Sequence, residues 1–252
     1  MKISAPDWCF FKKGCDPIDY YRRLRDSGIA GVEMVPEERW DAARSAGLEI
    51  VNIPAPGMQK GLNSTVNHVE ILPQIRKTIQ QAAKAGIPQV IVFSGNRNGE
   101  PEDAGFKNCL EGLKTLLPLA ESLAVTLIFE MLNSHDHAGY EGCDSHYGFE
   151  LVRQLNSPNM KVLYDIYHLA RMGEKIFPAL TDNLSSVAHI HVAEIPRRTK
   201  PLADGNPGYR EMVKKIQHAG YQGFLGLEFL PQTDPFDELK EVCRCFQSLA
   251  AG

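Results

Sequence analysis

Eight times along the chain, a short apolar run gives way to a longer stretch with the apolar spacing of an amphipathic helix. The short runs are "KISAP", "IAGVEMV", "LEIVNIPAP", "QVIVFSG", "VTLIFEML", "MKVLYDIY", "VAHIHVAE" and "GFLGLEFLP". They have the length and composition of strands. Between them lie helical stretches such as "DPIDYYRRLRDSG", "HVEILPQIRKTIQQAAKAG" and "NPGYREMVKKIQHAG". Gly28, Gly47, Gly86 and Gly220 close helical stretches, as glycine does just past a helix. Asp16 before Pro17 and Asn206 before Pro207 read as N-caps followed by proline at the first helical position. No long linker or low-complexity segment interrupts the alternation, and no G-x-G-x-x-G follows the first strand. The count predicts an α/β fold in which residues 1–252 form a single (β/α)8 barrel domain, in preference to an open doubly wound sheet.

The length of 252 residues, with 43% hydrophobic and 23% charged residues, suffices for one such barrel without disulfide staples. The net charge of −4, with basic residues no denser than the pairs Arg22-Arg23 and Arg197-Arg198, argues against nucleic acid or an anionic membrane as partner. The stretch "MKISAPDWCF" lacks the apolar centre of a signal peptide, and no apolar run approaches about 18 residues. The expectation is a soluble, cytoplasmic protein, with self-association left open. Its cysteines, Cys9, Cys15, Cys109, Cys143, Cys243 and Cys245, form no C-x-x-C pair and are expected to be reduced thiols.

In such barrels the active site lies at the C-terminal ends of the strands, so polar residues ending apolar runs are the candidates. Glu33 ends the second run, Glu130 the fifth, Asp165 the sixth, His191 the seventh and Glu228 the eighth. Carboxylates at such positions are costly unless paired, protonated or bound to a cation. Three carboxylates and an imidazole on four consecutive strands suit an oxygen-rich site for Mn²⁺, Mg²⁺ or Co²⁺. In "HIHVAEIPRR", strand alternation sends His189 and His191 to one face, about 6–7 Å apart along the strand. His191, nearer the mouth, is the expected ligand, and His189 the hydrogen-bonded support below it. Weaker features have plainer readings. "SGNRNG" (94–99) can cradle an anion but reads better as a Gly/Asn turn. His135 and His137 read as solvated loop residues, while Trp8 and Phe11 either wall the pocket or cap the barrel.

At these residues the sequence resembles the xylose-isomerase-like superfamily of sugar isomerases and epimerases, and within it the hydroxypyruvate isomerase family. The likeness runs along the whole chain and is most specific in "FSGNRNG", "FEMLNS", "YDIYH", "HIHVAEIPRR" and "GYQGFLGLEF". The resemblance implies metal ligands Glu130, Asp165, His191 and Glu228, with Glu130 and Glu228 also the carboxylates of proton transfer. It further implies substrate contacts at His168 and at Arg197 or Arg198; Glu33 and His68 are further candidate contacts. Histidine at 191 departs from hydroxypyruvate isomerases, where glutamine also occurs, and agrees with ketose 3-epimerases.

The expected reaction interconverts hydroxypyruvate and 2-hydroxy-3-oxopropanoate through a cis-enediolate. In it a divalent ion stabilises developing charge and a carboxylate shuttles the proton. A ketose 3-epimerase or other sugar isomerase is the alternative, and a non-catalytic sugar- or acid-binding barrel the alternative from another class.

Overall fold

The apolar runs become strands, and the strands close on themselves. The computed structural model describes residues 1–97, 99, 101, 104–201 and 207–251. Its strands are β1 (Lys2–Pro6), β2 (Gly31–Glu33), β3 (Glu49–Pro54), β4 (Gln89–Phe93), β5 (Thr126–Glu130), β6 (Met160–Asp165), β7 (Val187–Val192) and β8 (Phe224–Leu227). They form a closed barrel in chain order, β8 returning to β1. The helices are α1 (Asp7–Phe10), α2 (Pro17–Asp26), α3 (Trp40–Ser45), α4 (Thr65–Ala85) and α5 (Ala104–Ser122). They continue with α6 (Ser145–Leu155), α7 (Ile166–Arg171), α8 (Ile176–Asp182), α9 (Pro207–His218) and α10 (Pro235–Ala251). The barrel expected from the alternation is therefore present.

Local chemistry accounts for several boundaries. Asp16 caps α2, its carboxylate accepting the Asp19 backbone N–H at 2.8 Å, with Pro17 at the first helical position. Helix α4 stops at Gly86, which takes a left-handed φ of 67° and returns its N–H to the Ala82 and Ala83 carbonyls. The corresponding cap expected at Asn206 lies outside the described residues. Strands are shorter than the apolar runs that announce them, so Glu228 stands one residue beyond β8.

Contacts are densest within two parts of the chain. One comprises Met1–Val51, Phe177–Leu184 and His189–Gly252; the other comprises Asn52–Ile176 and Ser185–Ala188. In the first, β1 pairs in parallel with both β2 and β8, aligning Ser4 with Gly31 on one side and Gly226 on the other. Strand β7 pairs with β8, aligning His191 with Gly226. In the second, β3, β4, β5 and β6 pair successively, aligning Phe93 with Glu130 and Glu130 with Leu163. Side chains such as Ile3, Val32, Val92, Phe129, Tyr164 and Leu225 are fully buried, each worth about 1.5–3 kcal/mol of transfer from water. All six cysteines are free thiols. Among the described residues, no helix is long and apolar enough to cross a membrane.

Candidate active site

The first part of the chain carries a buried Glu–His–His set. Glu33, at the end of β2, is fully buried. Its Oε1 accepts the Ser4 hydroxyl at 2.7 Å. Its Oε2 lies 2.9 Å from His189 Nε2 and 2.8 Å from His191 Nε2. The two imidazoles share a face, as alternation requires, but they lean together on this one oxygen. Their ring centres are 4.9 Å apart and nearly perpendicular, closer than an extended strand alone would set them. Burial by itself raises the Glu33 carboxyl, yet the two histidines hold it well below the usual carboxylate range. Glu33, expected among the substrate contacts, is instead an internal brace with both oxygens engaged. His189 is buried below His191, as expected, and its Nε2 lies against Glu33.

This set also fixes one ring nitrogen as a donor. A carboxylate only accepts hydrogen bonds, so the nitrogen facing Glu33 donates, and His191 carries a proton on Nε2. His191 Nδ1 then points the other way and lies 3.1 Å from Glu228 Oε2. Glu228 is nearly buried and gripped at both oxygens. Trp8 Nε1 donates to Oε1 at 3.0 Å, and the Arg198 guanidinium donates to Oε2. Arg198 also lies over the Trp8 ring, 5.3 Å from its centre.

The arginine pair is thereby separated. Arg198 is 14% exposed and turned to Glu228, while Arg197 is 77% exposed and paired with Glu194. The backbone explains the split. Arg198 adopts a left-handed φ of 56°, and its carbonyl accepts the Leu230 N–H at 2.7 Å, tying the turn to the chain just past β8. Of the two arginines expected to contact substrate, the exposed Arg197 is the one whose side chain turns to solvent.

The second part of the chain supplies Glu130, Asp165 and His168, all buried, with ligand-type atoms within 4.8 Å of one another. Glu130 ends β5. Asp165 ends β6 and caps α7, its Oδ1 accepting the His168 backbone N–H at 3.1 Å. That cap brings the His168 ring back over the strand end. His168 Nδ1 accepts the Asn133 backbone N–H at 3.1 Å, with the Asn133 amide nitrogen 2.7 Å away. His168 therefore carries its proton on Nε2, which lies 3.7 Å from Asp165 Oδ2. Asn133 is held in turn by Asp136, which accepts from its amide at 2.9 Å and from the Tyr167 hydroxyl at 2.7 Å. Burial raises the Asp136 carboxyl, but these donors and Arg171 bring it below its ordinary range. Asn133, Asp136 and Trp8 are the participants that sequence reasoning assigned no such role.

The remaining candidates have structural duties. His68, in α4, lies with Nε2 2.8 Å from the Leu62 carbonyl; an acceptor there makes the ring a donor that pins the preceding loop, not a substrate contact. The backbone N–H groups of Ser94, Asn96 and Arg97 go to the Tyr140 hydroxyl and to the Gln59 and Gly139 carbonyls. They are used within the protein, so this is the plain turn, not an anion cradle; Asn98 of that loop lies outside the described residues. His135 is exposed, whereas His137 packs its ring 5.5 Å from that of His168. Phe11 lies under the Arg39 guanidinium, 4.0 Å away.

Among the described residues, two groups have the residue types of a metal site. Glu33, His189 and His191 have ligand-type atoms within 4.8 Å, and in this set His191 Nε2 is hydrogen-bonded to Glu33 Oε2 at 2.8 Å. The other donors fit a hard divalent cation better. His191 Nδ1 lies 3.1 Å from a Glu228 oxygen, with Glu33 behind the ring, the carboxylate–histidine arrangement that orients metal ligands. Glu130 and Asp165 are buried carboxylates, whose ionisation calls for a cation. His168, with its proton on Nε2, offers that face as a donor and not as a ligand.

A family model for a xylose isomerase-like TIM barrel matches residues 14–249. Hydroxypyruvate isomerase of Escherichia coli (strain K12) is 29% identical over 109 residues, a match spanning 43% of this chain and 42% of that enzyme. The human protein named putative hydroxypyruvate isomerase is 24% identical over 238 residues, 86% of each chain. Among solved structures, an AP endonuclease, family 2, from Brucella melitensis superposes with a TM-score of 0.83 at 19% identity. That superposition covers 95% of this chain and 97% of that one, a likeness of fold.

Proposed function

The chain belongs to the xylose isomerase-like TIM barrel family, and from that premise we propose that it is a divalent-metal-dependent isomerase. Its substrate on this reading is hydroxypyruvate, converted to and from 2-hydroxy-3-oxopropanoate. The observation that carries the reading is that two buried histidines, each with its Nε2 as the donor, turn opposite edges of the ring toward the strand-end carboxylates. His191, donating to Glu33, offers Nδ1 beside Glu228; His168, accepting from Asn133, offers an N–H beside Asp165. One suits a ligand and the other a hydrogen-bond donor to substrate. The names of the relatives agree with the same chemistry.

Strand C-termini share one mouth in a closed parallel barrel, which supports assigning Glu130, Asp165, His191 and Glu228 to a single ion. Bound there, Mn²⁺, Mg²⁺ or Co²⁺ supplies Lewis-acid stabilisation to the oxygens of the enediolate. Arg198 receives the substrate carboxylate through its planar fork. Glu130 removes the proton from C3 and returns it to C2 while the hydroxyl proton passes from the C3 oxygen to the C2 oxygen, so the carbon skeleton and oxidation balance are unchanged. His168 Nε2–H stabilises the oxygen whose hydroxyl and carbonyl states exchange. Glu228, gripped by Trp8 and Arg198, is the second carboxylate and faces the substrate from its own strand end.

The test is turnover by the purified protein on hydroxypyruvate against a panel of free ketoses, before and after chelation. Activity on hydroxypyruvate that chelator removes and Mn²⁺ or Mg²⁺ restores is the expected result. Preference for a ketose moves the assignment to a sugar epimerase or isomerase. Absence of turnover on the whole panel by metal-loaded protein makes the chain a binding barrel.

A further inference from the structure

Trp8 is half exposed, at 49%, on the single turn α1 that follows β1 directly. Large aromatic residues at the surface usually cover an apolar neighbour, but here the indole makes specific polar contacts. Its N–H donates to Glu228 Oε1 at 3.0 Å, and its face lies under the Arg198 guanidinium that holds Glu228 Oε2. The turn is itself anchored. Asp7, one residue earlier and buried, accepts from the Tyr21 hydroxyl at 2.9 Å and from the Arg39 guanidinium. The indole is therefore presented from a fixed support, with Asp7 and Phe10 of the same turn buried.

We propose that Trp8 is a positioning residue that keeps Glu228 in place while Arg198 changes partners. This rests on the function proposed above. Arg198 has two claims on it, Glu228 in the structure and a substrate carboxylate in the reaction. A guanidinium drawn toward substrate loosens its hold on Oε2, and Glu228, beside His191 Nδ1, would then be free to rotate. The Trp8 N–H meets the other oxygen, does not depend on substrate, and is neutral, so it constrains the carboxylate without competing for its charge. The ring also attracts the Arg198 guanidinium, which lies 5.3 Å from its centre.

The role separates from mere packing through Trp8→Phe, which keeps the ring and deletes the N–H. With hydroxypyruvate as substrate, kcat should fall about tenfold to a hundredfold, the range for losing a partner that orients an active-site group. KM should stay within about twofold, because Arg198 and its stacking face remain. Trp8→Ala should raise KM as well.

A second readout needs no activity. The chain has two tryptophans, Trp8 and Trp40, so a ¹⁵N-labelled sample gives two indole N–H signals, assigned with Trp8→Phe. Replacing Glu228 by glutamine should move the Trp8 signal upfield and leave that of Trp40, whose N–H goes to the Val35 carbonyl. A Trp8 signal that does not move, or a kcat unchanged in Trp8→Phe with active wild type, overturns the proposal. Wild type inactive on hydroxypyruvate overturns the functional reading instead and leaves the indole shift to decide this one.

Discussion

Gly226 of β8 makes room for the carboxylate of Glu33 on β2. A Cβ built on Gly226 would fall inside contact distance of Glu33 Oε1, 2.6 Å from His191 Cδ2 and 2.8 Å from His189 Nε2. In register, Gly226 stands between His191 of β7 and Ser4 of β1, both of which serve the same brace. The missing side chain is what lets Glu33 reach across to the histidines. Gly226→Ala should therefore break the Glu33–His191 contact and turn the His191 ring. We expect a lower melting temperature, in keeping with about 1–3 kcal/mol for overpacking a filled core, and a loss of metal affinity measured by calorimetry. A variant with wild-type stability and affinity would show that the brace does not orient His191.

The two adjacent arginines should differ sharply. Arg198→Ala removes a nearly buried guanidinium from Glu228 and from the carboxylate site proposed for substrate. Arg197→Ala removes an exposed one paired with Glu194. The first should raise KM for hydroxypyruvate by about tenfold or more, as loss of a bidentate charged contact does. The second should leave kcat/KM close to wild type. Steady-state kinetics on both variants decides it, and equal effects would remove the distinction.

That distinction illustrates what the sequence could and could not carry. The barrel was legible because strand and helix periods are local, as were the Asp16 cap and the common face of His189 and His191. Strand-end positions also marked Glu130, Asp165, His191 and Glu228 as candidates. The brace was not legible, since Glu33 and His191 are 158 positions apart and only strand pairing brings them together. Arg197 and Arg198 differ by one position, and the left-handed backbone of Arg198 decides which one turns inward. Trp8 sits on a four-residue turn, too short for any periodicity to show its direction. His68 looked available because a histidine in sequence does not reveal the carbonyl that occupies it.

Acid should probe the loop that orients His168. Asp136 is held below the ordinary aspartate range by hydrogen bonds from Asn133 and Tyr167 and by Arg171, which outweigh its burial. A depressed folded-state value means its contribution to stability is present above the unfolded value, about 3.9, and is lost as pH falls through the folded one. Thermal melts should show wild type losing more stability than Asp136→Asn as pH drops from about 5 to 3. Parallel losses in the two proteins would mean that Asp136 is not stabilised as its contacts imply.

Glu130 gives the most direct test of the chemistry. It ends β5, is buried, and lies with Asp165 and His168 in one group of ligand-type atoms. On the proposed mechanism it carries the proton between C3 and C2 of the substrate. In ²H₂O a carboxylic acid that exchanges with solvent during the lifetime of the enediolate leaves deuterium in the product. Glu130→Gln keeps the shape and loses the base, so isomerisation should fall by about 10²-fold or more and deuterium incorporation should stop. Because glutamine also weakens a ligand position, metal content must be measured in the same sample. Loss of exchange with metal retained assigns proton transfer to Glu130. Loss of both assigns it first to holding the ion, and near-normal exchange transfers the role of base to Glu228.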